Sequence, residues 1–232
     1  MNTVEKKELV NQVELQIDEA LTKDGFLKRK GDYYKPLPNR FLGTLSFTRS
    51  HFNSPTDFWL DVILIVENMN TACVSNWLKK KTKKEYIPGG AVTIDNVCNL
   101  LPKVKPFDWG FSTTSKKNKK VLEKALKDIL PVSNRIFKQI DSPDKFTTYL
   151  MENSIMNKEG EIMLQYYCCN RKDLAMRYLD MIRQGKISKN ALKNPYFADF
   201  CEMFETLLPE DPQEILCEVP AYCKKRRITY ID

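Results

Sequence analysis

Residues 58–66 read Phe-Trp-Leu-Asp-Val-Ile-Leu-Ile-Val. β-Branched and aromatic side chains dominate the run, as a pleated surface favours. On a two-residue period Phe58, Leu60, Val62, Leu64 and Val66 share one face, and Trp59, Ile63 and Ile65 share the other. A strand apolar on both faces needs cover on both, so the run predicts a central strand. Asp61 is its one charged residue, and an ion pair with a cationic side chain is expected there.

Other strands gather around it. Tyr33 and Tyr34 form a short first run, ended by Lys35-Pro36-Leu37-Pro38, whose prolines donate no ladder bond and mark a turn or an edge. Phe41, Gly43, Leu45 and Phe47 alternate with Leu42, Thr44, Ser46 and Thr48, and residues 50–56 read as a connection. Residues 68–114 are less regular, with a strand expected at 91–94 and a short extended piece at 108–111.

Helical spacing brackets this block. Val10, Val13, Ile17, Ala20 and Leu21 recur as one stripe in residues 4–24, and Gly25 supplies the stop. Ser115 is an expected cap for a helix carrying Leu122, Ala125 and Ile129 and ended by Pro131. Ser142-Pro143 opens another, since proline suits a first helical turn. Asn170 with Asp173 resembles a capping arrangement ahead of Leu174, Ala175, Tyr178, Leu179 and Ile182. Asn194-Pro195 opens a helix with Phe197, Phe200, Cys201, Phe204 and Leu207 facing one way. The fold class read from this grammar is α+β: an N-terminal helix on an antiparallel sheet, followed by a mostly helical C-terminal region. The expected division is an α+β domain over residues 1–152 and a helical extension over 153–232.

Charge is unevenly placed along the 232 residues. The chain carries a net +7, yet residues 76–130 alone hold 13 Lys and Arg against 5 Asp and Glu, a net +8. Two dense groups account for most of it: Lys79, Lys80, Lys81, Lys83 and Lys84, then Lys116, Lys117, Lys119 and Lys120. Lys224, Lys225, Arg226 and Arg227 form a third group. Such runs attract acidic proteins or nucleic acid over long range. No stretch approaches the roughly 20 apolar residues of a membrane span, and the first ten residues lack a signal-peptide pattern. The seven cysteines are odd in number and irregularly spaced, which reads as reduced thiols in a cytoplasmic protein. Cys168 and Cys169 are adjacent, a poor arrangement for a tetrahedral metal, and no metal site is expected.

Signatures of common chemistries are missing. Neither a phosphate-binding glycine loop nor a G-x-S-x-G elbow occurs. His51 is the single histidine. It stands in Arg49-Ser50-His51, where an arginine to hold a phosphate and an imidazole to move a proton would sit together. No catalytic residue is assigned on that basis.

The N-terminal motifs carry a resemblance. Asp24-Gly25-Phe26-Leu27-Lys28-Arg29-Lys30-Gly31, then Tyr33-Tyr34-Lys35, Gly43-Thr44-Leu45-Ser46-Phe47 and the apolar strand follow a leading helix. This order resembles the DUF4304-type family of bacterial proteins over residues 5–152. The resemblance implies a loose group that includes immunity-like proteins of bacterial toxin systems, and it transfers no site residue. In a structural reading of the same motif, Lys28, Arg29 and Lys30 lie on a solvated turn.

The function expected is a cytosolic protein-binding module, an immunity protein that occludes a toxin. Its partner would present an acidic surface to Lys79, Lys80, Lys81, Lys83, Lys84, Lys116, Lys117, Lys119 and Lys120. No enzyme activity, cofactor or membrane association is expected. Two alternatives stay open: nucleic-acid binding through residues 76–130, and an enzyme with a site near Arg49 and His51.

Overall fold

The structure, a computed structural model, describes residues 2–49, 56–105 and 108–232. Helix α1 spans Asn2–Lys23. Val10, Val13, Ile17 and Leu21 lie at helical spacing and are buried. The helix ends where Gly25 adopts φ +85° and the Phe26 amide donates back to the Leu21 carbonyl at 3.0 Å, closing the last turn. Phe26 is thereby turned inward against Phe137, with ring centroids 6.2 Å apart.

Strand β1 (Leu27–Arg29) pairs antiparallel with β2 (Asp32–Leu37), Lys28 standing opposite Tyr33. The two-residue turn is Lys30-Gly31, both with positive φ, the geometry that matches strand twist. Lys28 and Arg29 therefore belong to a strand, and Lys30 alone of the three lies on the turn. Pro36 sits inside β2, beyond the stretch that β1 pairs, so its missing N–H is not needed on that side.

Strand β3 covers Phe41–Arg49 and β4 Asp57–Asn68. β4 alternates strictly, with Phe58, Leu60, Val62, Leu64 and Val66 buried and Trp59, Asp61, Ile63 and Ile65 part-exposed. With β5 (Ala91–Asn96) and β6 (Gly110–Ser112), the sheet has six strands among the described residues, in the order β1-β2-β3-β4-β5, and β6 also pairs with β4. β4 is thus central. β6 aligns Phe111 with Phe58, and their rings stack at 5.1 Å.

Helix α2 (Met69–Thr82) follows β4 directly, capped by the Asn68 side chain, which accepts from the Asn70 amide. The sequence left this region irregular. The cause is its burial on nearly all sides: Met69, Thr71, Ala72, Cys73, Val74, Ser75 and Leu78 are covered, which erases an amphipathic stripe.

Helix α3 runs Asn118–Gln139 and passes through Pro131. The expected stop does not occur. Pro131 and Lys127 both point outward, so the carbonyl that loses its N–H partner meets water, while Val132, Ser133, Ile136 and Phe137 keep the following turns against the core. Helix α4 (Pro143–Glu152) begins at the expected Ser142 cap. Then come α5 (Lys158–Cys168), α6 (Lys172–Arg183), α7 (Pro195–Leu207), α8 (Gln213–Leu216) and α9 (Val219–Arg226). The cap of α6 is Arg171 without a side-chain bond, not Asn170, which takes φ 57° instead. The Asn194 cap of α7 is present, its side chain accepting from the Tyr196 amide at 3.0 Å.

The chain forms two compact units. The first contains residues 1–35, 43–65 and 94–138, with α1, nearly all of α3 and the ring pairs Phe26–Phe137 and Phe58–Phe111. The second contains residues 36–42, 66–93 and 139–232. Its core is helical, with α2 against α5, α8 and α9, and the Phe204 ring in contact with those of Tyr167 and Phe200.

Candidate functional site

Lys79, Lys80, Lys81, Lys83 and Lys84 are all exposed, in the second unit, on and just beyond the last turn of α2. Unsatisfied carbonyls make that end of a helix negative, so lysines there support the helix. Lys83 closes it in the left-handed conformation, its amide bonding the Lys79 carbonyl at 2.9 Å. Lys80 lies 3.9 Å from Glu218, Lys84 pairs with Asp199, and Lys81 stands over the Trp77 ring at 5.2 Å. Lys79 and Lys83 have no acidic partner among the described residues.

Two residues past this run, Tyr86 meets Tyr196 from the start of α7. The centroids are 5.3 Å apart in an edge-to-face contact, and the two residues remain 48% and 57% exposed. Below Tyr86 is a cavity of about 120 Å³ rimmed by Asn157, Glu159, Asn190 and Asn194. Sequence reasoning missed Tyr196. The signal was its place one residue off the apolar stripe of α7. Leu207, expected on that stripe, is in fact 41% exposed.

Lys116, Lys117, Lys119 and Lys120 belong to the first unit and are exposed at the start of α3. Here the dipole opposes them, and no acidic residue stands in the first turn. Asn118 anchors this start instead, accepting from the Ser112 amide at 3.1 Å and donating to its carbonyl at 2.7 Å. The Ser115 hydroxyl accepts from the Lys117 amide at 3.1 Å, as a cap would, but the helix itself begins only at Asn118.

His51 lies outside the described residues. Arg49 is exposed at the end of β3 and lines a cleft of about 670 Å³ in the first unit. Val10, Val13, Ile17, Phe47, Phe58 and Leu60 form its apolar walls, and Glu14, Lys28, Thr48 and Arg49 its polar ones. Lys28 holds both oxygens of Asp18, at 2.7 and 2.8 Å, and the Tyr33 hydroxyl donates to the same carboxylate. Burial pushes the Asp18 carboxyl up, but these two hydrogen bonds outweigh it and hold the group below the usual range. Burial and the Asp18 charge raise the Tyr33 phenol. The expected ion pair of Asp61 is not formed among the described residues; the carboxylate is part-exposed, so water solvates it.

The second unit also holds a carboxyl that nothing in the sequence singled out. Glu161 in α5 is 1% exposed. Its Oε1 is 2.8 Å from Thr71 Oγ1 and 2.7 Å from Gln165 Nε2, and its Oε2 accepts from the Gly90 amide at 2.5 Å. Burial raises its pKa, opposed in part by those donors. With no route to solvent, this network joins α5, α2 and the Gly89-Gly90 turn and offers no site. Gly90 takes φ +89°, and a Cβ there would lie 2.8 Å from Ala72 Cα. Among the described residues no three His, Cys, Asp or Glu side chains are grouped to hold a metal ion. Among the same residues, no helix is long and apolar enough to cross a membrane.

Comparison with protein-family models, with curated proteins and with solved structures gives no match.

Proposed function

We propose that the chain is a protein-binding module that meets an acidic partner through the second unit, with Lys79, Lys80, Lys81, Lys83 and Lys84 as the steering charges and Tyr86 and Tyr196 as anchors. The observation that carries this reading is the exposed tyrosine pair beside the lysine run. Tyrosine offers large contact area at small entropic cost and is enriched among residues that dominate binding energy. Exposed lysines around it act mainly on the rate of encounter. An immunity-type role, and with it the likeness to DUF4304-type proteins, belongs to the same proposal. Lys116, Lys117, Lys119 and Lys120 belong to the first unit and are not part of this assignment.

The test uses the purified product of the gene immediately upstream. Lys79→Glu with Lys83→Glu should slow association at low ionic strength, and Tyr86→Ala with Tyr196→Ala should speed dissociation. Unchanged rates in both folded variants refute the assignment. Binding of single-stranded DNA that collapses with salt, and is lost in the lysine variant, would favour the nucleic-acid reading instead.

A further inference from the structure

We infer that the small cavity beneath Tyr86 receives one arginine side chain of the partner, its guanidinium on Glu159. The inference deepens the reading of that surface as a protein-binding one and rests on it. All residues of the lining belong to the second unit. The polar ones, Asn157, Glu159, Asn190 and Asn194, are exposed or part-exposed, so they are open to an incoming group. A volume of about 120 Å³ is well below the roughly 300–1,000 Å³ of sites that enclose a small molecule, which leaves room for a single side chain.

The lining decides which side chain. Glu159 Oε1 accepts from the Ser188 hydroxyl at 2.7 Å, and Oε2 has no donor among the described residues. No Lys or Arg pairs with this carboxylate among the described residues. Lys158 turns to the Met151 and Asn153 carbonyls instead. The Asn190 side chain makes no cap bond, and Asn157 Oδ1 meets the Asn194 amide only at 3.5 Å. One carboxylate oxygen and several amide oxygens are thus left as acceptors. Helices α5 and α7 both begin at this rim, and a helix start favours an anion. Asn194 already caps α7 through the Tyr196 amide. At α5 roughly half a unit of positive charge is outweighed by the full charge of Glu159 in its first turn. A cation is therefore the matching ligand. Arginine suits the space better than lysine, because its planar fork reaches several acceptors at once and stacks on an aromatic ring such as Tyr86. The lysine run does not oppose it nearby, since Lys84, two residues before Tyr86, is paired with Asp199.

The experiment is titration of the whole chain with Nα-acetylarginine amide, with its lysine analogue and with its citrulline analogue, which has the shape of arginine without the charge. The asparagine side-chain amides are followed by NMR. The arginine compound should bind saturably and move the signals of Asn157, Asn190 and Asn194; the lysine compound should bind more weakly, and the citrulline compound more weakly still. Glu159→Gln, which keeps an oxygen for the Ser188 hydroxyl, should weaken the arginine compound on the order of ten-fold, the loss of a charge-assisted contact. Ala191→Leu, at a part-exposed position on the lining, should obstruct the cavity without unfolding the unit. No partner protein enters this titration, so it succeeds or fails apart from the association rates that test the surface itself. The inference falls if the arginine compound does not bind saturably, if citrulline matches it, if the moved signals lie elsewhere, or if neither variant changes the affinity.

Discussion

Replacing Glu161 by glutamine and by alanine asks which protonation state the second unit was built around. The Thr71 hydroxyl has one hydrogen but two acceptors in reach, the Asn68 carbonyl at 3.1 Å and Glu161 Oε1 at 2.8 Å. If that hydrogen goes to Asn68, Glu161 must carry a proton and donate to Thr71. Oε1 still accepts from Gln165, and Oε2 from Gly90, so every polar atom is satisfied by the neutral acid. Burial favours the same state, and the nearby Glu67 charge adds to it. A folded pKa raised above the unfolded value means full stability below the ordinary carboxylate range. As pH rises beyond it the unfolded chain loses this proton first, and stability falls by about 1.4 kcal/mol per pH unit until the folded group ionises too. Glutamine copies the neutral acid, its amide donating to Thr71 and its carbonyl accepting from Gly90, but it turns a donor toward Gln165. Glu161→Gln should therefore cost about 1–3 kcal/mol at pH 4, and the deficit should close or reverse by pH 8. Glu161→Ala leaves the Gly90 and Gln165 donors unmet beside a small void and should cost about 3–5 kcal/mol at acidic pH. Urea denaturation across pH 4–8, with hydrogen exchange at the Gly90 amide as local probe, reads both. A wild-type-minus-glutamine difference that does not change with pH would refute the neutral-acid assignment.

Val62→Ala in the middle of β4, at a fully buried position, should lower stability by about 1–3 kcal/mol; an unmoved denaturation midpoint would contradict its place in the core. Gly43→Ala would put a Cβ 2.3 Å from the Phe137 ring, an overpacking expected to cost about 1–3 kcal/mol, and Phe137→Leu in the same chain should recover part of the loss. Under native conditions Cys217 and Cys169, the exposed thiols, should react with a thiol reagent well before Cys73 and Cys98, both buried and pushed up to about 11 by desolvation. Rapid reaction of all seven would show that the cysteine burial is wrong.

The parts of the fold legible in the sequence are those where one periodicity or one capping pair acts alone. β4 shows its apolar faces outright, α1 has an unbroken stripe, and Ser142-Pro143 and Asn194-Pro195 open helices where they stand. Competing forces hid the rest. α2 is covered on too many sides to keep a stripe, Pro131 gives way to the buried turns that follow it, and β1 is three residues long, below any period. The candidate sites were harder, because their partners are remote. Tyr86 and Tyr196 are 110 positions apart, and Glu161 meets Thr71 and Gly90 only after folding. The lysine runs were visible from the start; what surrounds each of them was not.

Those two runs look alike on paper but stand in opposite electrostatic positions. At the end of α2 the lysines answer the negative pole of their helix; at the start of α3 they face a positive one. Added salt should therefore act on them with opposite sign, loosening the last turn of α2 and relieving the first turn of α3. The lysines of α3 are carried against local helix stability, whereas those of α2 would be favoured even in a protein that bound nothing. Replacing Lys119 and Lys120 by glutamate should accordingly tighten the start of α3, seen as slower amide exchange in its first turns, and the same exchange at Lys79 and Lys80 should fray the end of α2.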